Sequence, residues 1–377
     1  MPDLRDRFTA LGAALRARFI ERDALVEAAL ATLVAGQHLL IVGPPGTAKS
    51  ALADALCKSI DGAVGFSWLL TRFSTPEELF GPVSLRGLEE DRYERITDGK
   101  LPAAHVVFLD EVFKANSAIL NALLTVLNER KFHNGRAAQA IPLVTLVGAT
   151  NELPDEDELL ALYDRFLVRV VVDYVVEEFR FVQLLTLDEA PALPTVTLQQ
   201  LETARAEAAA LPLDPQVLRD LPALRRDLAG RGVVVSDRRW RQALGLLRAS
   251  AWLAGRARAG EADLPLLRHV LWSEPEARDE VEAALETLLG GEQAALRDLV
   301  FQARELAEYP LSFEAGEPRS RAALEAYTKL NLLRSEAGKL IDNARARGRD
   351  ADALGGSLDE IEGLRAQVQR HLSRPLQ

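Results

Sequence analysis

The chain has 377 residues, 48% of them hydrophobic and 27% charged, with a net charge of -11 and a pI near 5.2. That length predicts two or three domains, and the acidic balance argues against nucleic acid or an anionic membrane as the main partner. A lone cysteine, Cys57, excludes an internal disulfide. With no apolar leader and no run of about 18 apolar residues, the expected location is the cytoplasm.

Two helical patterns open the chain and lead to a β-run, "HLLIVG", that ends in "GPPGTAKS", Gly43 to Ser50. The next segment, "KSALADALCKSI", has apolar residues at helical spacing, with Cys57 expected as a small buried side chain. Strand, glycine-rich loop and helix in that order are the context of a phosphate-binding loop. Gly43 and Gly46 would supply the turns, and Pro44, Pro45 and Thr47 complete the loop. Lys49 would reach the β- and γ-phosphates, and Ser50 would present a hydroxyl to Mg²⁺. The strict pattern G-x-x-x-x-G-K-[ST] wants glycine where this chain has Ala48. Alanine is tolerated there if its φ is negative, so a negative φ is the expectation.

Further apolar runs, "VVFLDE", "VTLVGATN" and "FLVRVVVDY", read as buried parallel strands of an α/β domain. The first delivers Asp110 and Glu111 to the carboxyl edge of the sheet, where ligands of open α/β sheets bind. Asp110 would hold Mg²⁺ through water, and Glu111 would polarise the attacking water. Asn151, ending the second run, could hold that water near the γ-phosphate. Arg165, in "LYDRFLVRV", could act across a subunit boundary as an arginine finger, or simply pair with its neighbour Asp164.

After about residue 195 strand signals nearly vanish and helical periodicity takes over. Pro212, Pro215 and Pro222 are expected to punctuate one connection, and Gly230 and Gly232 another. Near the end, Ser357 and Glu360 read as a capping box that starts a helix with Leu358, Ile361, Leu364, Val368 and Leu372 on one stripe. The preceding 319–346 reads as a long helix with Leu324, Tyr327, Leu330, Leu333 and Leu340, so the chain is expected to close with an antiparallel helical hairpin.

The series "GPPGTAKS", "FLDE", "GATN" and "LYDRF" resembles the AAA+ ATPases of the MoxR group, and the segment from "TRFSTPEELFGP" to "NERKFHNG" is similar to the RavA branch. The resemblance covers about residues 1–275 well and the rest loosely. It implies an AAA+ parallel-sheet core over 1–190, an all-α lid over 191–275 and a helical bundle over 276–377. It makes Lys49 and Ser50 the Walker A pair, Asp110 and Glu111 the Walker B pair, Asn151 sensor 1 and Arg165 the arginine finger. "VVVSDRRW" matches sensor 2, with Arg238 placed on the γ-phosphate and Arg239 and Arg241 as its competitors. Alanine before the lysine is common usage in the group.

The resemblance also implies two insertions at the ring surface or pore. "GPVSLRGLEEDRYERITDGKLPAA" is expected as a β-hairpin around Gly87 and Gly99, and "NERKFHNGRAAQAIPL" as a second one turning at Asn134-Gly135. The chain departs from the RavA pattern at "EYPLSFEAGEPRS", which joins two helical parts without an inserted β-rich domain. The implied activity is ATP hydrolysis with Mg²⁺ by a hexameric ring that remodels a protein, working with a von Willebrand factor A-domain partner. A nucleotide-gated assembly scaffold with slow hydrolysis is the alternative. A small-molecule kinase would share the loop but needs neither the remaining motifs nor a lid of this size.

Overall fold

Apolar runs too short for helices condense into a five-stranded parallel sheet, and the stretches between them coil against its faces. The computed structural model describes residues 3–154, 157–186, 192–289, 292–313, 316–346 and 351–372. The chain divides into two compact units: 1–176, 187–215 and 235–275 form one, and 177–186, 216–234 and 276–377 the other.

In the first unit, α1 (Leu4–Arg18) and α2 (Asp23–Ala35) precede β1 (Leu39–Val42), α3 (Lys49–Lys58), the two-residue β2 (Ile60–Asp61) and β3 (Gly65–Leu69). Then come α4 (Pro76–Phe80), α5 (Leu85–Glu89), β4 (Val106–Asp110), α6 (Ser117–Glu129) and an antiparallel pair, β5 (Lys131–Asn134) and β6 (Ala137–Ala140). β7 (Thr145–Thr150), α7 (Asp157–Tyr163) and β8 (Val168–Val171) complete the sheet, whose order is β3-β4-β7-β1-β8. All its pairings are parallel, with Leu39 opposite both Val147 and Val168.

β1 and β7 are buried at every position, as unbroken apolar runs between two helical layers should be. Side chains alternate between the faces. Val107 and Leu109 join Leu40 and Leu146 against Ile119, Leu123 and Val126 of α6. Val106 points to the other layer, where Phe8, Leu33, Val34 and Trp252 pack and Phe8 meets Trp252 edge-on at 5.3 Å.

β3 was not expected. It is an edge strand whose residues alternate between exposed and half-buried, so "GFSWL" carries no continuous apolar signal. Phe66 and Trp68 stack on its inner side at 6.2 Å.

The first expected hairpin is corrected. Residues 81–104 hold α5 and one antiparallel bridge, Val83 to Arg95, in place of two strands. Ser84 caps α5 by accepting a hydrogen bond from the Gly87 N–H at 3.1 Å, and Arg86 pairs with Glu90 one turn on, so local helical interactions win. The second hairpin forms as β5 and β6, but Asn134 is its last paired residue and the turn lies at Gly135-Arg136. Asn134 instead grips the first insertion, accepting from the Arg95 N–H at 2.6 Å and donating to the Arg95 carbonyl at 3.1 Å. Gly135, at φ 65°, has no room for a side chain, because a Cβ would stand 2.2 Å from the Tyr93 carbonyl oxygen.

The short β9 (Val196–Thr197) pairs with β2 and leads into α9 (Leu198–Ala210). α8 (Glu178–Leu185) and α10 (Pro215–Gly230) lie mainly in the second unit, α11 (Asp237–Leu253) in the first. Pro222, expected in a connection, lies inside α10. The second unit continues through α12 (Ala277–Leu289), α13 (Glu292–Glu308), α14 (Glu317–Ala346) and α15 (Ala351–Leu372). The last two bury Leu330, Ala337 and Ile341 against Leu354, Ile361 and Val368, and small buried residues such as Ala303, Ala326 and Ala344 let the helices approach closely. Ser357 stands inside α15 and caps nothing, and Leu324 is exposed. The side chain of Leu372 lies outside the described residues. Among the described residues no helix is long and apolar enough to cross a membrane.

Candidate functional site

The carboxyl edge of the sheet gathers the loop after β1, the end of β4 and the end of β7. The Gly43 N–H donates to the Thr150 carbonyl at 3.0 Å, continuing the ladder one residue past β1. A Cβ on Gly43 would stand 2.1 Å from the Val172 carbonyl oxygen, so glycine is required there by close approach. Gly46 adopts φ 83°. The Thr47 hydroxyl donates to the Pro44 carbonyl at 2.9 Å and ties the loop across its own width.

Ala48 overturns the expectation of a negative φ. It sits at φ 65° and ψ 22° as the residue before α3, because the loop needs a left-handed residue to turn into the helix. In that region the methyl group crowds the following carbonyl, which costs about 1–2 kcal/mol. Ala48→Gly removes that cost and loses about 0.5–1 kcal/mol to the freer unfolded chain, for a net gain of about 0.5–1 kcal/mol. Thermal unfolding should show a higher midpoint for the variant, and a lower midpoint would refute the assignment of strain.

Glu111 is a second non-glycine residue in the left-handed region, at φ 52° and ψ 47°. It directly follows β4, so the chain turns sharply and leaves its carboxylate at the sheet edge. Strain concentrated in two such residues at one edge is the kind found at functional sites.

Lys49, Asn151 and Glu111 form a continuous chain of hydrogen bonds. The Lys49 Nζ donates to Asn151 Oδ1 at 3.0 Å, and Asn151 Nδ2 donates to Glu111 Oε1 at 2.8 Å. Only this orientation of the amide offers an acceptor to the ammonium and a donor to the carboxylate. The Lys49 Nζ also donates to the Gly43 carbonyl and to the Pro44 carbonyl at 3.2 Å. Burial pulls the lysine pKa below its ordinary value, and the nearby Asp110 and Glu111 carboxylates oppose that shift. Asp110 Oδ1 accepts from the Glu111 N–H at 3.1 Å, and Glu111 Oε2 lies 3.4 Å from Lys114 Nζ. Nothing in the sequence motifs pointed to Lys114.

Ser50 is exposed on the first turn of α3, and Asp110 is half-buried at the end of β4. Both offer hard oxygen donors, the kind Mg²⁺ takes. Among the described residues no group of three or more His, Cys, Asp or Glu side chains could hold a metal alone. Magnesium here would therefore draw most of its ligands from phosphate and water, as it ordinarily does.

Asp164 is a hub for three arginines. Its carboxylate lies 3.5 Å from Arg165, 3.9 Å from Arg238 and 3.4 Å from Arg239. The Arg165–Asp164 pair is thus formed, while the buried Arg165 Nε has no hydrogen-bond partner. Arg238 is partly exposed and donates to Asn128 Oδ1 at 3.0 Å. Arg239 is 3% exposed and donates to the carbonyls of Leu167, Val270 and Phe166 at 2.8, 2.9 and 3.0 Å. Its donors are taken by backbone carbonyls and by Asp164, whereas Arg241, the third of the sensor candidates, is exposed. Beside Arg239 lies the buried Arg169, donating to the Trp272 and Tyr163 carbonyls and centred 3.7 Å over the Tyr163 ring. Burial, aided by the neighbouring Arg239 charge, pushes the Arg169 pKa down to about 9. Sequence reasoning missed Arg169 because it lies within the apolar run "FLVRVVV" and belongs to no motif.

Comparison with known proteins identifies the family of the chain. Residues 6–196 match the family model described as the MoxR domain of the MoxR-vWA-beta-propeller ternary systems, and residues 216–285 match an AAA lid domain. The chain is 35% identical over 364 residues to the uncharacterized protein MJ0812 of Methanocaldococcus jannaschii, covering 94% of this chain and 96% of that one. It is 29% identical over 160 residues to chaperone MoxR1 of Mycobacterium tuberculosis, 41% of each chain. A crystal structure of a candidate ATPase from Cytophaga hutchinsonii superposes with a TM-score of 0.59 over 76% of this chain and 94% of that one, at 16% identity, which speaks to the fold.

Proposed function

The chain belongs to the MoxR family of AAA+ ATPases, and on that premise we propose that it hydrolyses ATP with Mg²⁺ as an oligomeric ring that remodels a protein client. The observation that carries the proposal is the Lys49–Asn151–Glu111 chain, in which the lysine ammonium and the glutamate carboxylate stand at the two ends of one amide. The backbone from Gly43 to Ala48 would wrap the phosphates at the amino terminus of α3. Lys49 would exchange its carbonyl partners for β- and γ-oxygens, and Asn151 would pass from the lysine to the attacking water. Glu111 would accept that water's proton. Ser50 and Asp110 would hold Mg²⁺, which supplies neutralisation of the developing phosphate charge when bound.

Arg165 would complete the neighbouring subunit's site, and Arg238 would report the γ-phosphate to the lid. The proposal includes the division into a core over 1–190, a lid over 191–275 and a bundle over 276–377, along with a hexameric ring and a cytoplasmic location. The RavA-like placement rests on the residue 71–135 segment. The partner, a von Willebrand factor A-domain protein, is supported by the wording of the matched family model.

A mixing experiment tests the shared site. Glu111→Gln and Arg165→Ala chains should each be nearly inactive. In an equimolar mixture, about a quarter of the interfaces would join an intact glutamate to an intact arginine, so about a quarter of wild-type turnover should return. Recovery of nothing would remove the arginine from the neighbour's site, and full activity of Arg165→Ala alone would remove it from catalysis.

A further inference from the structure

The amino edge of the sheet, opposite the nucleotide loop, carries an unusual concentration of arginine. Arg130 ends α6 in the left-handed region at φ 54° and donates to the Gly36 carbonyl at 2.7 Å and the Leu143 carbonyl at 3.2 Å. Arg205, on α9, lies over the same Gly36, so close that a Cβ there would stand 2.2 Å from its Nη2. Glycine at φ 63° is what admits that guanidinium. The two arginines and His105 line a cavity of about 340 Å³. An adjoining cavity of about 420 Å³ shares Arg205 and Glu202 with the first and adds Arg248 of α11, whose Nε is buried without a hydrogen-bond partner.

These charges are poorly compensated. Among the described residues, no carboxylate lies within salt-bridge distance of Arg130, Arg205 or Arg248, although Glu202 acts on Arg205 from further away. Burial and the neighbouring Arg205 push the Arg130 pKa down to about 10, as expected of like charges gathered in a half-buried place. His105 adds a donor. Its Nδ1 accepts from the Val64 N–H at 3.0 Å, so the neutral ring carries its proton on Nε2. Three guanidiniums less the Glu202 carboxylate leave a surplus of two positive charges in a chain whose net charge is -11.

We propose that Arg130, Arg205 and Arg248 form a second anion site, which takes a phosphate-type dianion on the edge of the sheet opposite Lys49. Arg205 of α9 lines both cavities, with Arg130, the residue that follows α6, lining the first and Arg248 of α11 the second. A tetrahedral oxyanion can accept from more than one guanidinium at once, whereas a single carboxylate matches one planar fork. Occupation would tie α9 and α11 to the base of the β5–β6 hairpin, because the Arg130 carbonyl closes that base by accepting from the Ile141 N–H at 2.9 Å.

The test uses the full-length chain carrying Lys49→Ala in every arm, so that the nucleotide loop does not report. Inorganic phosphate is titrated against sodium chloride at matched ionic strength, following the unfolding midpoint. At ten times its dissociation constant, phosphate should raise the midpoint by about 3–6 °C beyond chloride. Arg205→Gln should weaken phosphate about tenfold or more, through loss of a charge-assisted contact, and Arg248→Gln should do the same from a different helix. Should Arg205→Gln fail to fold, Arg248→Gln alone decides. A phosphate response no larger than that of chloride, or an unchanged titration in the arginine variants, overturns the proposal. Because the site lies apart from Lys49, either result leaves the ATPase reading standing.

Discussion

Replacing Arg239 with alanine should lower the stability of the unit that holds it by about 3–5 kcal/mol, the cost of removing one partner from a buried charged cluster. The side chain is 3% exposed and serves three carbonyls, those of Leu167, Phe166 and Val270, together with Asp164. Its loss leaves those acceptors buried without donors, at about 1–3 kcal/mol for each that water cannot reach. One effect runs the other way. Arg169 has a neighbouring positive charge in Arg239, and removing it relieves that repulsion. The relief is the smaller quantity, because burial itself is the leading cause of the Arg169 shift. Arg239→Lys should recover little, since one ammonium cannot reach carbonyls spread over the loop between α7 and β8 and over Val270. Denaturant unfolding followed by tryptophan fluorescence reads the loss, with Trp252 and Trp272 buried in the same unit. A change below about 1 kcal/mol would mean that the site collapses or admits water far more readily than its burial indicates.

This arginine marks the boundary of what the sequence could reveal. Residues whose work is set by backbone context were legible: "HLLIVG" before the loop and "VVFLDE" before the acidic pair lie where an α/β sheet must put them. The meeting of Lys49, Asn151 and Glu111 follows from three parallel strands ending at one edge. The conformation of Ala48 was not legible, because an alanine letter says nothing of φ and the helix entry overrode the residue's preference. β3 escaped because edge strands have one side in water and alternate where buried strands do not. The first insertion was read as a hairpin from its turn residues, yet Ser84 and the Arg86–Glu90 pair favour α5 locally. Among "DRRW", only the fold separates the roles: adjacent helical residues point about 100° apart, so Arg239 turns into the core while Arg238 stays at the surface. Ser357 and Glu360 matched a capping pattern, but a pattern cannot tell a helix start from a helix interior, and α15 begins at Ala351.

The most direct test of the ATPase reading is phosphate release and equilibrium ATP binding measured side by side for wild type and Glu111→Gln. The substitution is nearly isosteric, and its amide oxygen can still accept from Asn151 Nδ2, so the 2.8 Å link to the Lys49 chain can persist. What is lost is the ability to take a proton, together with the charge facing Lys114 at 3.4 Å. General-base catalysis contributes about 10²–10⁴-fold, so turnover should fall by that factor while ATP affinity stays within about threefold of wild type. Turnover within about tenfold of wild type would show that Glu111 is not the base, and the central claim about this site would fail.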